Sequence, residues 1–400
     1  MASNDVVPGL TPVAPTDPEV AEQIIGTIRD WVRKEVIPVA SEYEHADEFP
    51  TPLVEQMKAF GLFGAKVPEE YGGLGLDTVT YTRLMEELAY GWMSLAGVLN
   101  THTIVVTLLS RNGTEEQKKE HLPRMATGEV RAAFSLSEPD AGSDAASLRC
   151  KATPDGDEYV INGTKMWVTN GERAALVALA ARTPEGITCF IYEKTPNEFS
   201  ESLQVSRTIE KLGYKGLETV EMAYNDHRIP ASTVLGGPQN LGRGLNAILG
   251  GLELGRVNIA ARAQGVGRAA YDAAMKYAFE RETFGKPINQ HQAIQFKLAD
   301  MATRLEASRL MVKNAAERID AGQRADVEAG MAKLFASEMA LDLATEAMRI
   351  HGGYGYTTDF PVERYFRDAP LMIIGEGTNE IQRIVIARGL LSRWSEEHPA

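Results

Sequence analysis

The stretch 371-LMIIGEGTNEIQRIVIARGLL-391 decides how the rest of the chain is read. An apolar run stops at Gly375-Glu376-Gly377, and a helix begins at Thr378 or Asn379, with Ile381, Ile384, Val385 and Leu390 along one face. Glu376 is thus a lone carboxylate between two glycines that let the backbone approach a ligand closely. Desolvation raises the pKa of such a carboxylate, and the helix N-terminus downstream lowers it. A base poised near neutral pH is what proton abstraction from carbon requires. Spacing alone also allows an ordinary acid at a helix start.

Upstream, three long stretches, roughly 245–283, 291–321 and 325–350, carry apolar residues at helical spacing, with loop signals (TFGKPIN, DAGQRAD, HGGYGY) at their ends. Together with a helix over 379–394 they predict an antiparallel four-helix unit. Before them, segments shorten and turns multiply. EYVINGTKMWVTNG places Asn162-Gly163 between two β-rich runs, which predicts a hairpin, and a TPEG turn splits ALVALAARTPEGITCFIYEK in the same way. VEMAYNDHRIP closes this series near Pro230. The N-terminal part is helical again. Ile24, Ile25, Ile28, Trp31, Val32 and Val36 recur at three and four, with Pro38 as the stop, and Thr78 to Leu109 is apolar and helical. Thr114 and Gln117 form a capping box. The class is α+β. A Pro-rich lead-in over 1–18 precedes an all-α domain over 19–130, a central antiparallel β-barrel domain over 131–240 and a C-terminal four-helix bundle over 241–400.

Lys plus Arg number 41 against 55 Asp plus Glu, a balance of −14 that argues against binding nucleic acid or an anionic membrane through net charge. Cys150 and Cys189 lie far apart without metal spacing, as expected of reduced thiols, and no zinc pattern stands out. No signal-peptide pattern opens the chain, and no uninterrupted apolar run reaches spanning length, so a cytoplasmic location is expected.

Five stretches could carry chemistry. In 135-SLSEPDAGSDAAS-147, small hydroxyls (Ser135, Ser137, Ser143, Ser147) and Asp144 surround Gly142 in a loop leaving a strand, suited to an anionic or heteroaromatic ligand or to a plain polar turn. In 165-KMWVTNG-171, Trp167 and Thr169 share a strand face and could flank a flat ring. Glu253 and Arg256 stand one helical step apart, as an ion pair or as a grip on a polar ligand end. Arg281, Thr283, Phe284 and Gln292 bracket the turn in 281-RETFGKPINQHQ-292. In 349-RIHGGYGYTTDFPVERYFRDA-369, Gly352, Gly353 and Gly355 allow tight approach to a phosphate or simply end a helix, and His351 reads as structural. Gly265-Val266-Gly267-Arg268-Ala269-Ala270 matches a dinucleotide fingerprint but lies inside a helical pattern with no strand before it, so it reads as helix packing.

Taken together, LSEPDAGSD, KMWVTNG, ERETFGKPINQHQ, HGGYGY…PVERYFRDA and EGTNEIQR, in that order over roughly residues 20–394, resemble the acyl-CoA dehydrogenase family of flavoproteins. The resemblance implies a non-covalent FAD, an acyl-CoA substrate and oxidation to a trans-2-enoyl-CoA. Glu376 would take the α-proton while the β-hydride passes to FAD. It places Phe134, Leu136, Ser137, Gly142, Ser143, Trp167, Thr169, Thr378 and Glu380 at the flavin, and Ser143, Glu253 and Arg256 at the acyl-CoA. It assigns Arg281, Thr283, Phe284, Gln292, Gly352 and Gly353 to the FAD of a neighbouring subunit, with Arg349 near a cofactor phosphate. A homo-oligomer, in this family a tetramer, and reoxidation by an electron-transferring flavoprotein follow. An acyl-CoA oxidase or flavin monooxygenase of the same fold is the competing expectation. Gly375 departs from the family, where an aromatic is common, and Arg349 stands where Gln is frequent.

Overall fold

The structure, a computed structural model, describes residues 12–398. Part of the expected lead-in lies outside these. Residues 13–17 are pinned rather than loose: the Val13 amide donates to the Asp320 carbonyl at 2.8 Å, and the Thr16 amide donates to Asp77 Oδ2 at 2.5 Å. Asp17 caps helix α1 (Pro18–Trp31), accepting from the Glu19 and Val20 amides. Pro38 does not stop this helix. A π-helical turn over Val32–Val36 shifts the hydrogen-bond ladder by one residue, and the chain runs on as α2 (Ile37–Ala46) with Pro38 in its first turn, where no N–H is needed. Then come α3 (Thr51–Ala59), α4 (Thr78–Gly91), α5 (Met93–Asn112) and α6 (Glu115–Ala126). The expected capping box is in place at Thr114 and Gln117. α5 is the one helix among the described residues long and apolar enough to cross a membrane, which the search for an uninterrupted run missed; 94% of that span is buried inside the protein.

The middle of the chain forms a curled seven-stranded sheet: β1 (Ala132–Ser135), β2 (Lys151–Asp155), β3 (Glu158–Thr169), β4 (Leu176–Thr183), β5 (Gly186–Glu193), β6 (Leu203–Thr208) and β7 (Thr219–Pro230). The order is β1-β4-β2-β3-β7-β6, with β5 on β4. Most pairs are antiparallel as expected, but β1 and β2 both run parallel to β4. The TPEG turn joins β4 and β5. Asn162-Gly163 makes no hairpin. It lies inside β3, where Gly163 has φ +146° and a Cβ there would stand 2.8 Å from the Cys150 Cα. The glycine serves a bulge and a close strand approach, and the real turn is at Gly156. β4 is apolar without alternation because both its faces are covered. Leu176, Ala178 and Ala180 meet the α5–α6 side, and Val177, Leu179 and Ala181 face the inside of the curl.

The last part holds α7 (Gly244–Glu280), a two-residue hairpin of β8 (Glu282–Thr283) and β9 (Lys286–Pro287), α8 (Gln292–Asp320), α9 (Asp326–His351), α10 (Val362–Ile374) and α11 (Asn379–Glu397). The four expected helices are present. α10 is a fifth that went unread, because Pro370 lies within it and a glycine-rich loop precedes it. Its buried residues Val362, Tyr365, Ala369 and Met372 recur at three and four. The main core lies where α1 and α4 meet α7, α8 and α9. The fingerprint-like glycines are packing contacts: a Cβ at Gly265 would lie 2.4 Å from the Glu86 carbonyl, and one at Gly267 would lie 2.9 Å from Met339 Sδ.

Candidate active site

Three neighbouring elements hold Glu376. The C-terminus of α10 delivers it, and Thr378 caps α11 just beyond, accepting from the Ile381 amide at 3.3 Å. Glu376 itself has φ +53°, a left-handed conformation that costs a non-glycine residue about 1 kcal/mol or more and concentrates at functional positions. The loop is braced from α9. Lys333, fully buried, donates to the Ile373 carbonyl at 3.0 Å and to Asn379 Oδ1 at 2.8 Å, and burial lowers its ammonium to about 8 against the opposing pull of the Glu376 and Glu380 carboxylates. Gln382, also buried, donates to the Gly377 carbonyl at 3.1 Å. These buried polar residues were not singled out in the sequence. The signal was there, as a lysine and a glutamine on otherwise apolar helix faces.

The Glu376 carboxylate points inward to α5, where Asn100 Nδ2 donates to Oε1. Oε2 is shut off from solvent and has no hydrogen-bond partner. Burial raises the Glu376 pKa above its ordinary value, and Arg262, Asn100, Lys333 and Arg256 partly oppose it. Around this centre lie Tyr81, whose hydroxyl accepts from Asn258 Nδ2 at 2.8 Å, and Tyr214, which occupies the space left by Gly97 on α5. Buried polar atoms without partners concentrate here and along α7: Arg256 Nε, Asn258 Oδ1, Arg262 Nε and Nη2, and Gln264 Nε2. Such a set of orphans calls for a ligand or ordered water. Arg256 is buried, and its guanidinium feels the charges of Glu253, Asp326 and Glu376. Glu253 is half-buried and raised by desolvation, but forms no ion pair with Arg256 within 4 Å and faces Arg111 more strongly.

A second group lies on the sheet. Phe134 on β1, Leu136, Ser137 and Thr169 on β3 are half-buried, while Gly142 and Ser143 are exposed. The loop that bears them is locked from below. Lys165 and Glu138 form a buried ion pair at 2.9 Å; Lys165 also donates to the Leu136 carbonyl, and Glu138 accepts from the Arg149 and Cys150 amides. Burial pushes the Glu138 carboxyl up, but Lys165 and those amides outweigh it and hold it below the usual range. Trp167 sits at a β3 bulge with φ +61° and presents 57% of its surface, although the residues on either side of it are buried. An exposed tryptophan held on a strained bulge beside a half-buried Phe134 and Thr169 is a platform for a flat ring. α5 ties this group to Glu376: it carries Asn100, and its Val98 carbonyl accepts from Asn170 Nδ2 at 3.2 Å. The donor set, a flat aromatic face with hydroxyls and an open glycine, fits the isoalloxazine ring and the pyrophosphate of FAD.

A third group stays apart. Arg281, Phe284, Gln292, Arg349, Gly352 and Gly353 are exposed and Thr283 is half-buried, gathered where α7 ends, α8 begins and α9 ends. Their contacts remain local: Phe284 meets His291 edge-on, and Arg349 pairs with Glu346. A Cβ at Gly142, Gly352 or Gly353 would meet nothing within 4 Å, so the fold of one chain does not require glycine packing there. Glu380 is exposed in the first turn of α11. His351 is structural: it is buried, bonded to the Ala347 carbonyl and stacked on Tyr277 at 4.2 Å. A cavity of about 310 Å³ between α1, α4, α7 and α8 holds none of the candidate residues and is crossed by the Arg268–Glu86 and Arg268–Glu87 ion pairs.

Known proteins agree with this architecture. Residues 18–129, 133–227 and 242–391 match the N-terminal, middle and C-terminal domain models of acyl-CoA dehydrogenases. An acyl-CoA dehydrogenase of Bacillus subtilis is 42% identical over 91% of this chain and 96% of its own length. The butyryl-CoA dehydrogenase of Megasphaera elsdenii superposes with a TM-score of 0.89 at 34% identity, covering 94% of this chain and 100% of that one. A glutaryl-CoA dehydrogenase of Mycobacterium smegmatis in complex with FADH2 does so at 0.87 and 29% identity, covering 94% and 95%. The chain belongs to the acyl-CoA dehydrogenase family, and is an FAD-dependent oxidoreductase.

Proposed function

We propose that this protein dehydrogenates an acyl-CoA thioester between Cα and Cβ to a trans-2-enoyl-CoA, with Glu376 as the base. The observation that carries the reading is the Glu376 carboxylate: raised in pKa by desolvation, bonded at Oε1 by Asn100, and at Oε2 shut off from solvent and unpartnered. An unpartnered carboxylate oxygen in a dry site is a proton acceptor without a proton donor, and a substrate α-carbon supplies one. The Glu376 backbone N–H, in the left-handed turn three residues before α11, polarises the thioester carbonyl. Ser143, Glu253 and Arg256 hold the thioester and CoA portion. Phe134, Leu136, Ser137, Gly142, Ser143, Trp167, Thr169, Thr378 and Glu380 hold the FAD. When bound, FAD accepts the hydride from Cβ.

Arg281, Thr283, Phe284, Gln292, Arg349, Gly352 and Gly353 reach the FAD of a second copy in a homotetramer; their exposure on a single chain supports this. An electron-transferring flavoprotein takes the electrons onward, rather than oxygen as in an oxidase. The test is flavin bleaching. Glu376→Gln, which keeps the Asn100 contact but removes the basicity, loses anaerobic bleaching by acyl-CoA by about a hundredfold to ten-thousandfold, the usual worth of a positioned base. Bleaching at the native rate refutes the assignment. Rapid reoxidation of the reduced enzyme by air supports the oxidase instead.

A further inference from the structure

Arg262 stands on the same face of α7 as Asn258, one turn on, and is 2% exposed. Its guanidinium lies over the Tyr214 ring, 5.0 Å from the centroid, yet Nε and Nη2 have no hydrogen-bond partner. A buried guanidinium is always charged, and donors left unmet in such a place are destabilising. The obvious partner is Glu376, but no ion pair within 4 Å joins them: the carboxylate bonds Asn100 instead, and its second oxygen is left bare. No other carboxylate among the described residues lies within ion-pair distance of Arg262, whereas Lys333 is held by the Ile373 carbonyl and Asn379. The chain thus keeps a cation with free donors near Glu376, its guanidinium against the Tyr214 ring and Asn258, bonded to Tyr81, one turn before it on α7. Along α7, Arg262 is six residues beyond Arg256, roughly 9 Å further from the thioester grip.

Resting on the dehydrogenase reading above, we propose that Arg262 is a specificity-determining residue which binds a carboxylate carried at the far end of the substrate's acyl chain, so that the preferred substrate is an acidic rather than a plain alkyl acyl-CoA. Planar guanidinium and carboxylate match two donors to two acceptors, and Arg262 has two donor atoms free. A plain alkyl chain leaves both unmet.

The test uses the FAD-loaded enzyme and anaerobic bleaching. Mono-CoA thioesters of α,ω-dicarboxylic acids are compared with monocarboxylic acyl-CoAs of equal carbon count. The acidic chain is favoured in kcat/KM by roughly tenfold to a hundredfold at its best length, the net worth of hydrogen bonds to a charged group. Arg262→Gln brings that ratio close to one, and Arg262→Lys restores part of it. An alkyl preference in the native enzyme, a matched thioester with a neutral terminal hydroxyl outrunning the acid, or an unchanged ratio in Arg262→Gln overturns the proposal. Should Arg262→Gln not fold, the native ratio decides by itself. Bleaching by alkyl thioesters alone sinks only this inference, whereas no bleaching by any thioester sinks the dehydrogenase reading too.

Discussion

Asn100 is the one side chain among the described residues that hydrogen-bonds the Glu376 carboxylate, and after the charge of Arg262 it is the strongest neighbour keeping that group charged. Its donor favours the charged form, so it opposes the burial that raises the Glu376 pKa. Asn100→Ala removes that opposition. The protonated form then persists to higher pH, and the acidic limb of the bleaching rate moves upward in pH, with activity recovered on the alkaline side. An unmoved limb means that the carboxylate titrates without Asn100. Glu376 was legible from its sequence because glycines, an apolar run and a helix start surround it within a few residues. Asn100, Lys333 and Arg262 were not, since each looks like one polar residue on a helix and acquires meaning only from what lies opposite.

At the scale of elements, the segment from β1 through β3 depends on one buried pair. Lys165 and Glu138 hold the loop carrying Ser137, Gly142 and Ser143 against β3, helped by the Met166 amide donating to the Ser137 carbonyl at 2.8 Å. Lys165→Met leaves Glu138 charged, buried and short of one partner, at a cost of about 3–5 kcal/mol. The urea midpoint and FAD retention both fall, and adding Glu138→Gln recovers part of the stability. Unchanged FAD retention means that the loop holds its shape without the pair. The helices were readable where periodicity ran long, as in α7, α8 and α9. The misread elements share a cause. Pro38, Pro370 and Asn162-Gly163 are local breakers that their surroundings overrule, through a π turn, a well-packed apolar face and a strand bulge.

On the whole molecule, three exposed aromatics stand together where α7 ends and α8 begins. Phe284 is 96% exposed at the tip of the β8–β9 turn, with Phe279 and Phe296 on the adjoining helix ends. A single chain gains nothing from such a surface, and the proposed homotetramer would cover it with a second copy. Phe284→Ser therefore leaves the unfolding midpoint of the separated chain within about 0.5 kcal/mol while weakening the assembly in sedimentation and loosening FAD. Unchanged mass and unchanged flavin retention refute an interface there. The sequence by itself determined the class of fold, the order of its three parts and the identity of the lone carboxylate, because periodicity, turn chemistry and motif order are properties of neighbours along the chain. Only the tertiary structure decided how that carboxylate is charged, what braces it and which cation waits unpaired near it. Desolvation and ion pairing act through space, and the groups involved come from α5, α7, α9 and the α10–α11 turn, far apart in sequence.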